Sequence, residues 1–393
     1  MTPSARVQAA IEILDSVIDA ARNEGAPADR IIADYFKQRR YAGSKDRRAV
    51  RELVYAAIRA CGEVPASGRA AMLALGEQDD AIPALFDGSA HGPAPIGDGE
   101  PFAEAGIAPQ WLVDRLQASG IAGEELGALM DRAPLDVRVN TLKADRATLV
   151  LPEAGEPLAA PQALRFETGT QVEQWPAWRD GLIEVQDHGS QLVCLAAKAS
   201  PGEMVIDLCA GAGGKSLAMA AAMENRGKLL ACDIDKRRLG NLAPRAERAG
   251  AEMVETVLLD PGKELEALAE YRGTADLVLV DAPCSGTGTW RRKPEAKWRL
   301  TPERLGKFAV TQDRLLDIAA QLVKPGGRLA FVTCSLLDEE GADRIDAFLA
   351  RNAAWNVSGI DLPVGRAHRK GWRLTPCHDG TDGFFVAMLG SAC

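Results

Sequence analysis

From about Leu182 onward, short apolar segments alternate with amphipathic helical stretches, and this alternation constrains the fold more than any other feature of the chain. The candidate strands are MVIDL (204–208), KLLACD (228–233), VETVLLD (254–260), DLVLVDA (276–282) and RLAFVT (328–333). Helical patterns fall between them, most clearly in TPERLGKFAVTQDRLLDIAAQLV, where Thr301 is placed to cap and Pro302 takes the first helical position. Such alternation predicts a doubly wound, mainly parallel sheet. Ligands of these sheets bind outside the carboxyl ends of the strands.

The residues with chemical potential lie at those ends. The first strand runs into DLCAGAGGKS (207–216), which puts Asp207 at the strand end and Gly211, Gly213 and Gly214 ahead of a helix. Glycines at this turn let a ligand approach the backbone, and the helix amino terminus favours polar ligand groups. The spacing matches neither the dinucleotide GxGxxG fingerprint nor the GxxxxGK[ST] phosphate loop. Asp233 ends the second strand, where an acid can accept two hydrogen bonds from a ribose diol, and Asp260 ends the third, suited to an adenine amino group. Each acid alone is an ordinary turn residue, but three at successive strand ends imply an adenosine-containing ligand.

The fourth strand leads into DAPCSGTGTWRRKPEAKWR (281–299) and the fifth into TCS, which adds Asp281, Cys284 and Cys334. A lone cysteine is more often core than catalytic. Two at functional strand ends beside an acid point to chemistry, whereas the thiols of Cys61, Cys194, Cys209, Cys232, Cys377 and Cys393 read as structural.

The amino-terminal half reads differently. Ile11, Leu14, Val17, Ile18 and Ala21 recur at helical spacing, as do Val50, Leu53, Val54, Ala57 and Ile58. Between them, residues 37–51 hold seven basic side chains (Lys37, Arg39, Arg40, Lys45, Arg47, Arg48, Arg51) against Asp46 alone, with Tyr41 among them. This run is either a solvated helix face or a phosphate-contacting patch. Residues 62–105 are rich in Gly, Pro, Ala and Ser and read as irregular or linker structure, and a helix resumes near Pro109. Beyond it, Val137 and Val139 alternate with Arg138 and Asn140 as in a strand with one polar face, predicting a small α/β subdomain.

At 393 residues the chain has room for two or three domains. Its net charge of −9 does not steer it to nucleic acid as a whole, so any such partner must be met by local basic patches. Glu12, Asp15 and Asp19 interrupt what would be the apolar part of a signal peptide, and no apolar run reaches transmembrane length, so a cytoplasmic chain without a membrane partner is expected. Eight cysteines without a CxxC pair, and only four histidines, argue against a disulfide framework and against a bound metal.

These motifs make the sequence similar to the Sun-family, RsmB-like RNA (cytosine-5) methyltransferases, which use S-adenosylmethionine. The resemblance covers residues 131–389 strongly, through RVNTLK (138–143), QDHGSQLV (186–193), DLCAGAGGKS, ACDID, Asp260, the DAPCSGTGTWRRKPEAKWR segment, VTCSL (332–336) and DGFFVAML (382–389). The paired PC and TCS cysteines, in this order and at this separation, are its most specific part. The resemblance extends more weakly to the helical start, which is similar to the NusB-type RNA-binding domain of some members. The implied fold is α/β: a helical NusB-like domain with linker over 1–130, a small α/β RNA-binding subdomain over 131–180, and a Rossmann-like class I methyltransferase domain over 181–393.

The resemblance also implies roles. Cys334 is the nucleophile that adds to carbon-6 of cytosine, Cys284 assists proton removal from carbon-5 and product release, Asp281 binds the base, and Lys215 supports the carboxylates or the thiolate. The cofactor set is Asp207, Cys209, Ala210, Gly211, Ala212, Gly213, Gly214, Lys215, Asp233, Asp260 and Asp281. Arg138, Asn140 and Lys143 are implied to face RNA. In RRKPEAKWR, Arg291, Arg292, Lys293, Lys297 and Arg299 interleave with Trp290 and Trp298. That combination suits backbone charge with base stacking, although the tryptophans can equally anchor the loop. The family's cofactor loop reads CAAPGGK, and here Gly211 and Ala212 depart from it. The missing proline frees about 0.4–1 kcal/mol of chain entropy, which predicts modestly weaker cofactor binding.

The N-terminal domain favours ribosomal over transfer RNA as the substrate, and no obligatory protein partner is implied. A DNA cytosine-5 methyltransferase would attack through the PC cysteine and have no counterpart of Cys334. A small-molecule or protein methyltransferase would explain the cofactor crevice but not two cysteines. An inactive RNA-binding scaffold would not need the full set of reactive side chains.

Overall fold

The computed structural model describes residues 1–392, which form two compact units, Met1–Asp131 with Thr289–Thr301, and Arg132–Gly288 with the chain from Pro302 onward. The first unit is helical, with α1 (Pro3–Arg22), α2 (Ala28–Gln38), α3 (Ser44–Ala60), α4 (Gly68–Gly76), α5 (Gln110–Ala118) and the single turn α6 (Glu124–Ala128). The apolar stripes read from the sequence form its core: Ile13, Leu14, Val17 and Ile18 of α1 pack with Val50, Val54, Ala57 and Ile58 of α3. Thr2 caps α1 by accepting the Ala5 N–H at 3.2 Å, an arrangement worth about 1 kcal/mol.

Residues 62–105 depart from the expectation of a linker. Gly68–Gly76 form a helix that is buried along its whole length, and Gly68 approaches α1 so closely that a Cβ there would lie 2.2 Å from the Ile11 carbonyl. Arg69 then pairs with Glu100, holding the Pro-rich segment down. Small residues signal close helix packing here as well as loops, and composition alone cannot separate the two.

The second unit contains two sheets. The smaller is antiparallel, in the order β2 (Glu156–Pro157), β3 (Ala163–Phe166), β1 (Leu135–Val139), β4 (Ile183–Val185), with the short helix α7 (Pro176–Arg179) in the connection. Because β4 completes this sheet, the small subdomain runs past residue 180 and joins the following chain in one compact unit.

After α8 (His188–Ala197) the large sheet begins with β5 (Met204–Asp207), α9 (Gly214–Ala222), β6 (Lys228–Asp233), α10 (Lys236–Gly240), α11 (Leu242–Ala249), β7 (Val254–Leu258), α12 (Glu264–Ala267) and β8 (Ala275–Asp281). It continues with α13 (Pro302–Leu322), β9 (Val323–Thr333), α14 (Ala342–Arg351), β10 (Trp355–Ser358), β11 (Arg366–His368), β12 (Gly371–Leu374), α15 (Pro376–Asp379) and β13 (Phe384–Ser391). Strands β7-β6-β5-β8-β9 are parallel, and β13 adds antiparallel to β9. Successive β8 residues serve opposite faces: Leu277 and Leu279 pack with α8 and α9, Val278 and Val280 with α13 and α14. Both faces of the central strands are covered by helices, so these strands read as apolar runs, while the edge strand β7 is mostly exposed.

Candidate active site

The cofactor loop is built at the end of β5. Gly213 has φ of 85° and leads into α9, and a Cβ on it would come within 2.5 Å of Leu242, so both conformation and space require glycine. Gly211, at φ 57°, stands where the family has another residue, yet the loop is held from three sides. The Ala210 N–H donates to the Cys232 carbonyl at 2.8 Å, the Gly211 N–H to Asp233 Oδ2 at 2.7 Å, and Arg245 donates to the Ala212 carbonyl at 2.6 Å.

Asp233 thus serves first as the strap of the loop, accepting also the Asp235 N–H at 2.7 Å, and keeps lone pairs for a diol. Asp207 is fully buried and accepts from the Ser216 hydroxyl at 2.6 Å, while its other oxygen has no hydrogen-bond partner. Burial raises its pKa to about 7. Asp260 lies two residues beyond β7, exposed, its side chain without a partner among the described residues. In front of Gly214, the first residue of α9, a Cβ would meet nothing within 4 Å. A glycine cradle, open space at a helix amino terminus and acids from three strand ends fit an adenosine cofactor with a polar tail.

Beside this crevice the Lys215 ammonium donates to Asp281 Oδ2 at 2.6 Å. Burial works to discharge Lys215, but the Asp281 carboxylate outweighs it and holds the ammonium above the ordinary lysine range. The same cation senses Cys334 electrostatically. Cys284, in the loop after β8, and Cys334, in the loop after β9, bring their sulfurs to 3.4 Å. The hydrogen bond to Cys334, then burial, raise the Cys284 thiol well above the usual thiol range. All the cysteines among the described residues are free thiols, and no group of metal-ligating side chains occurs among them.

The residues expected to face RNA are mostly turned inward, which corrects the sequence reading. Arg138 is buried and donates to Gln186 at 2.8 Å, and Asn140 is buried and donates to the Gly181 and Ala249 carbonyls. Lys143 is exposed, but its ammonium bonds the Asp180 and Arg248 carbonyls. Trp290, Arg291, Lys297 and Trp298 are buried in the helical unit. There Lys297 donates to the Ile107 carbonyl at 2.8 Å and Trp298 to the Gly62 carbonyl at 3.3 Å, while Arg299 reaches the Gly25 and Ala26 carbonyls. The tryptophans anchor the segment, and the Lys297 and Arg299 side chains bond backbone carbonyls rather than facing solvent freely. Only Arg292 and Lys293 of this run are exposed. By contrast Arg40, Lys45 and Arg48 of the earlier run are exposed and make no hydrogen bond or ion pair among the described residues, and Tyr41 beside them is 75% exposed.

Sequence reasoning missed the polar cluster beneath the two thiols, formed by Ser285, Thr287, Gln312, Ser335 and Glu340, all buried. The serine that follows each of Cys284 and Cys334 was the available signal.

A strap-like glycine turn at the first strand of a doubly wound sheet, with acids at the next strand ends, defines a class I methyltransferase. Residues 194–390 match the model of the 16S rRNA methyltransferase RsmB/F family. The chain is 34% identical over 291 residues to ribosomal RNA small subunit methyltransferase B of Xanthomonas campestris pv. campestris, covering 72% of this chain and 66% of that protein. The protein of the same name from Xylella fastidiosa strain 9a5c is 34% identical over 295 residues, with 72% and 68% covered. The chain therefore belongs to the RsmB/F methyltransferase family, whose cofactor is S-adenosylmethionine, and its match spans about two thirds of the length of these relatives. In fold it is similar to PH0851, with a TM-score of 0.76 at 24% identity over 99% of both chains. It is also similar to NSun6 of Pyrococcus horikoshii solved with SFG, with a TM-score of 0.62 at 19% identity over 71% of this chain and 97% of that one.

Proposed function

We propose that this protein transfers the methyl group of S-adenosylmethionine to carbon-5 of a cytosine in RNA, with 16S ribosomal RNA the favoured substrate and the cytoplasm its compartment. The observation that carries this reading is the approach of the Cys284 and Cys334 sulfurs to 3.4 Å beside the Lys215–Asp281 pair. Cysteine pairs of this kind have no use in direct methyl transfer to a good nucleophile.

Carbon-5 of cytosine is a poor nucleophile, and covalent addition activates it. Cys334, as thiolate beside the Lys215 cation, adds to carbon-6; the Asp281 carboxylate accepts from the exocyclic amino group and orients the base, and the Lys215 ammonium offsets the negative charge that builds on the ring. S-adenosylmethionine supplies the methyl group that carbon-5 then takes up. The proton left on carbon-5 must depart before the Cys334–carbon bond breaks and the double bond is restored. In this reading Cys284 gives its own proton to solvent once Cys334 is bonded to carbon, and as thiolate takes up the proton from carbon-5. Its contact with Cys334 is the largest cause holding its proton, and that contact is lost when Cys334 bonds to carbon.

Exposed Arg40, Lys45 and Arg48 with Tyr41 supply the local basic surface that an acidic chain needs to meet RNA. Labelled cofactor incubated with 16S RNA and with transfer RNA tests the reading. A bisulfite-resistant cytosine in 16S RNA is expected, and methyl transfer elsewhere on the base, or to neither RNA, contradicts it.

A further inference from the structure

Beneath the two reactive thiols lies a closed set of hydrogen bonds built around one buried acid. Glu340, in the turn before α14, is fully buried. Its Oε1 accepts the Ser285 N–H at 2.8 Å and its Oε2 the Ser285 hydroxyl. Gln312 of α13 donates to the same carboxylate at 3.3 Å and to the Pro283 carbonyl at 3.0 Å, so the residues on both sides of Cys284 are held. Ser285 Oγ lies 3.1 Å from Ser335 Oγ, and Ser335 is the neighbour of Cys334. Ser335 in turn accepts the Leu337 N–H at 3.2 Å and meets Thr287 at 3.2 Å, and Thr287 accepts the Leu336 N–H at 2.9 Å. The Gly288 N–H closes the loop pair on the Cys334 carbonyl at 3.0 Å.

We propose that Glu340 is a positioning residue that, through Ser285 and Ser335, fixes the spacing of the Cys284 and Cys334 sulfurs and so couples adduct formation to product release. Glu340 is linked to the residue following each cysteine, and a buried carboxylate is held only where its lone pairs are satisfied. Without it, the Ser285 N–H and hydroxyl lose their acceptor, Ser335 loses its link through Ser285 to that acceptor, and both strand-end loops are free to shift. A displacement of about 1 Å at a reacting group can cost on the order of 100-fold in rate.

This inference rests on the reaction proposed above, so its test includes a readout that needs neither RNA nor cofactor. Diamide takes up the two protons and two electrons released when two thiols join, and the rate of Cys284–Cys334 disulfide formation, followed by peptide mass, reports the spacing directly. Glu340→Ala should slow this cross-link and lower kcat by roughly 10- to 100-fold, with KM and cofactor affinity little changed. Glu340→Gln should recover most of both rates, because the amide oxygen still accepts from Ser285 N–H while the amide N–H donates to Ser285 Oγ. Should Glu340→Ala fail to fold, Ser285→Ala removes the link between the loops and should slow the cross-link. Cross-linking at the wild-type rate in Glu340→Ala, or in a folded Ser285→Ala, overturns the proposal. Variant-dependent cross-linking in a wild-type protein that transfers no methyl group would count against the reaction and leave the clamp standing.

Discussion

Asp281 at the end of β8 accepts a hydrogen bond from Lys215 in the first turn of α9 at 2.6 Å, joining the strand end that leads to Cys284 to the glycine turn through one largely buried cation. Lys215 follows the glycine turn in sequence and also interacts electrostatically with Cys334, so in the proposed function the pair serves both halves of the reaction. Lys215→Met removes the positive charge next to Asp281 and Cys334. The single-turnover rate of methyl transfer should fall by about 100-fold, the usual cost of losing one stabilising donor, while thermal unfolding shows a folded protein. A folded variant with an unchanged rate would detach Lys215 from the reaction.

Asp233 straps Gly211 and, in the proposed function, also presents oxygen to the ribose. Asp233→Ala should weaken S-adenosylmethionine binding by roughly 1–3 kcal/mol, leaving ligand hydroxyls unpaired. Calorimetry with unaltered affinity would remove the ribose assignment.

The exposed basic residues of the helical unit separate into two kinds. Arg39 pairs with Glu12 and stacks on Tyr35, and Arg47 donates to the Ala42 carbonyl, so altering these disturbs packing. Arg40, Lys45 and Arg48 have no such ties. Replacing these three by Glu should weaken RNA binding and flatten its dependence on salt, since fewer counterions are released per complex. Binding curves with the wild-type salt slope would return the run to a solvated face.

What was legible in the sequence, and what was not, divides along physical lines. Of the five parallel strands, β5, β6, β8 and β9 stood out because each has a largely buried apolar run ended by Asp or a cysteine loop, whereas the mostly exposed β7 was marked by the Asp260 that follows it. KLLACD matches β6 residue for residue. Lys297 and Arg299 misled because charge is visible in a sequence whereas the carbonyls that receive it are not. Glu340 was hidden in LLDEEGADR, where it resembles an acidic helix start, and its lone pairs are satisfied by Ser285, 55 residues away.

Buried Lys297 carries its own consequence for stability. Burial lowers its pKa to about 7 in the folded chain, against an ordinary value of 10.5. Between those values the unfolded chain holds a proton that the folded chain has released, so stability rises with pH across the window, by at most about 1.4 kcal/mol per pH unit. Urea unfolding at pH 7 and pH 9.5 should show a gain in the wild type that Lys297→Met lacks, relative to all other groups. Equal gains in both proteins would place the titration elsewhere.

The central claim assigns attack to Cys334 and release to Cys284, and a denaturing gel of protein incubated with RNA and cofactor tests it most directly. Cys284→Ala should methylate but release slowly, giving a slowly migrating protein–RNA band, whereas Cys334→Ala and the double variant should give none. A band that appears with Cys334→Ala and vanishes with Cys284→Ala would contradict the account and exchange the two roles.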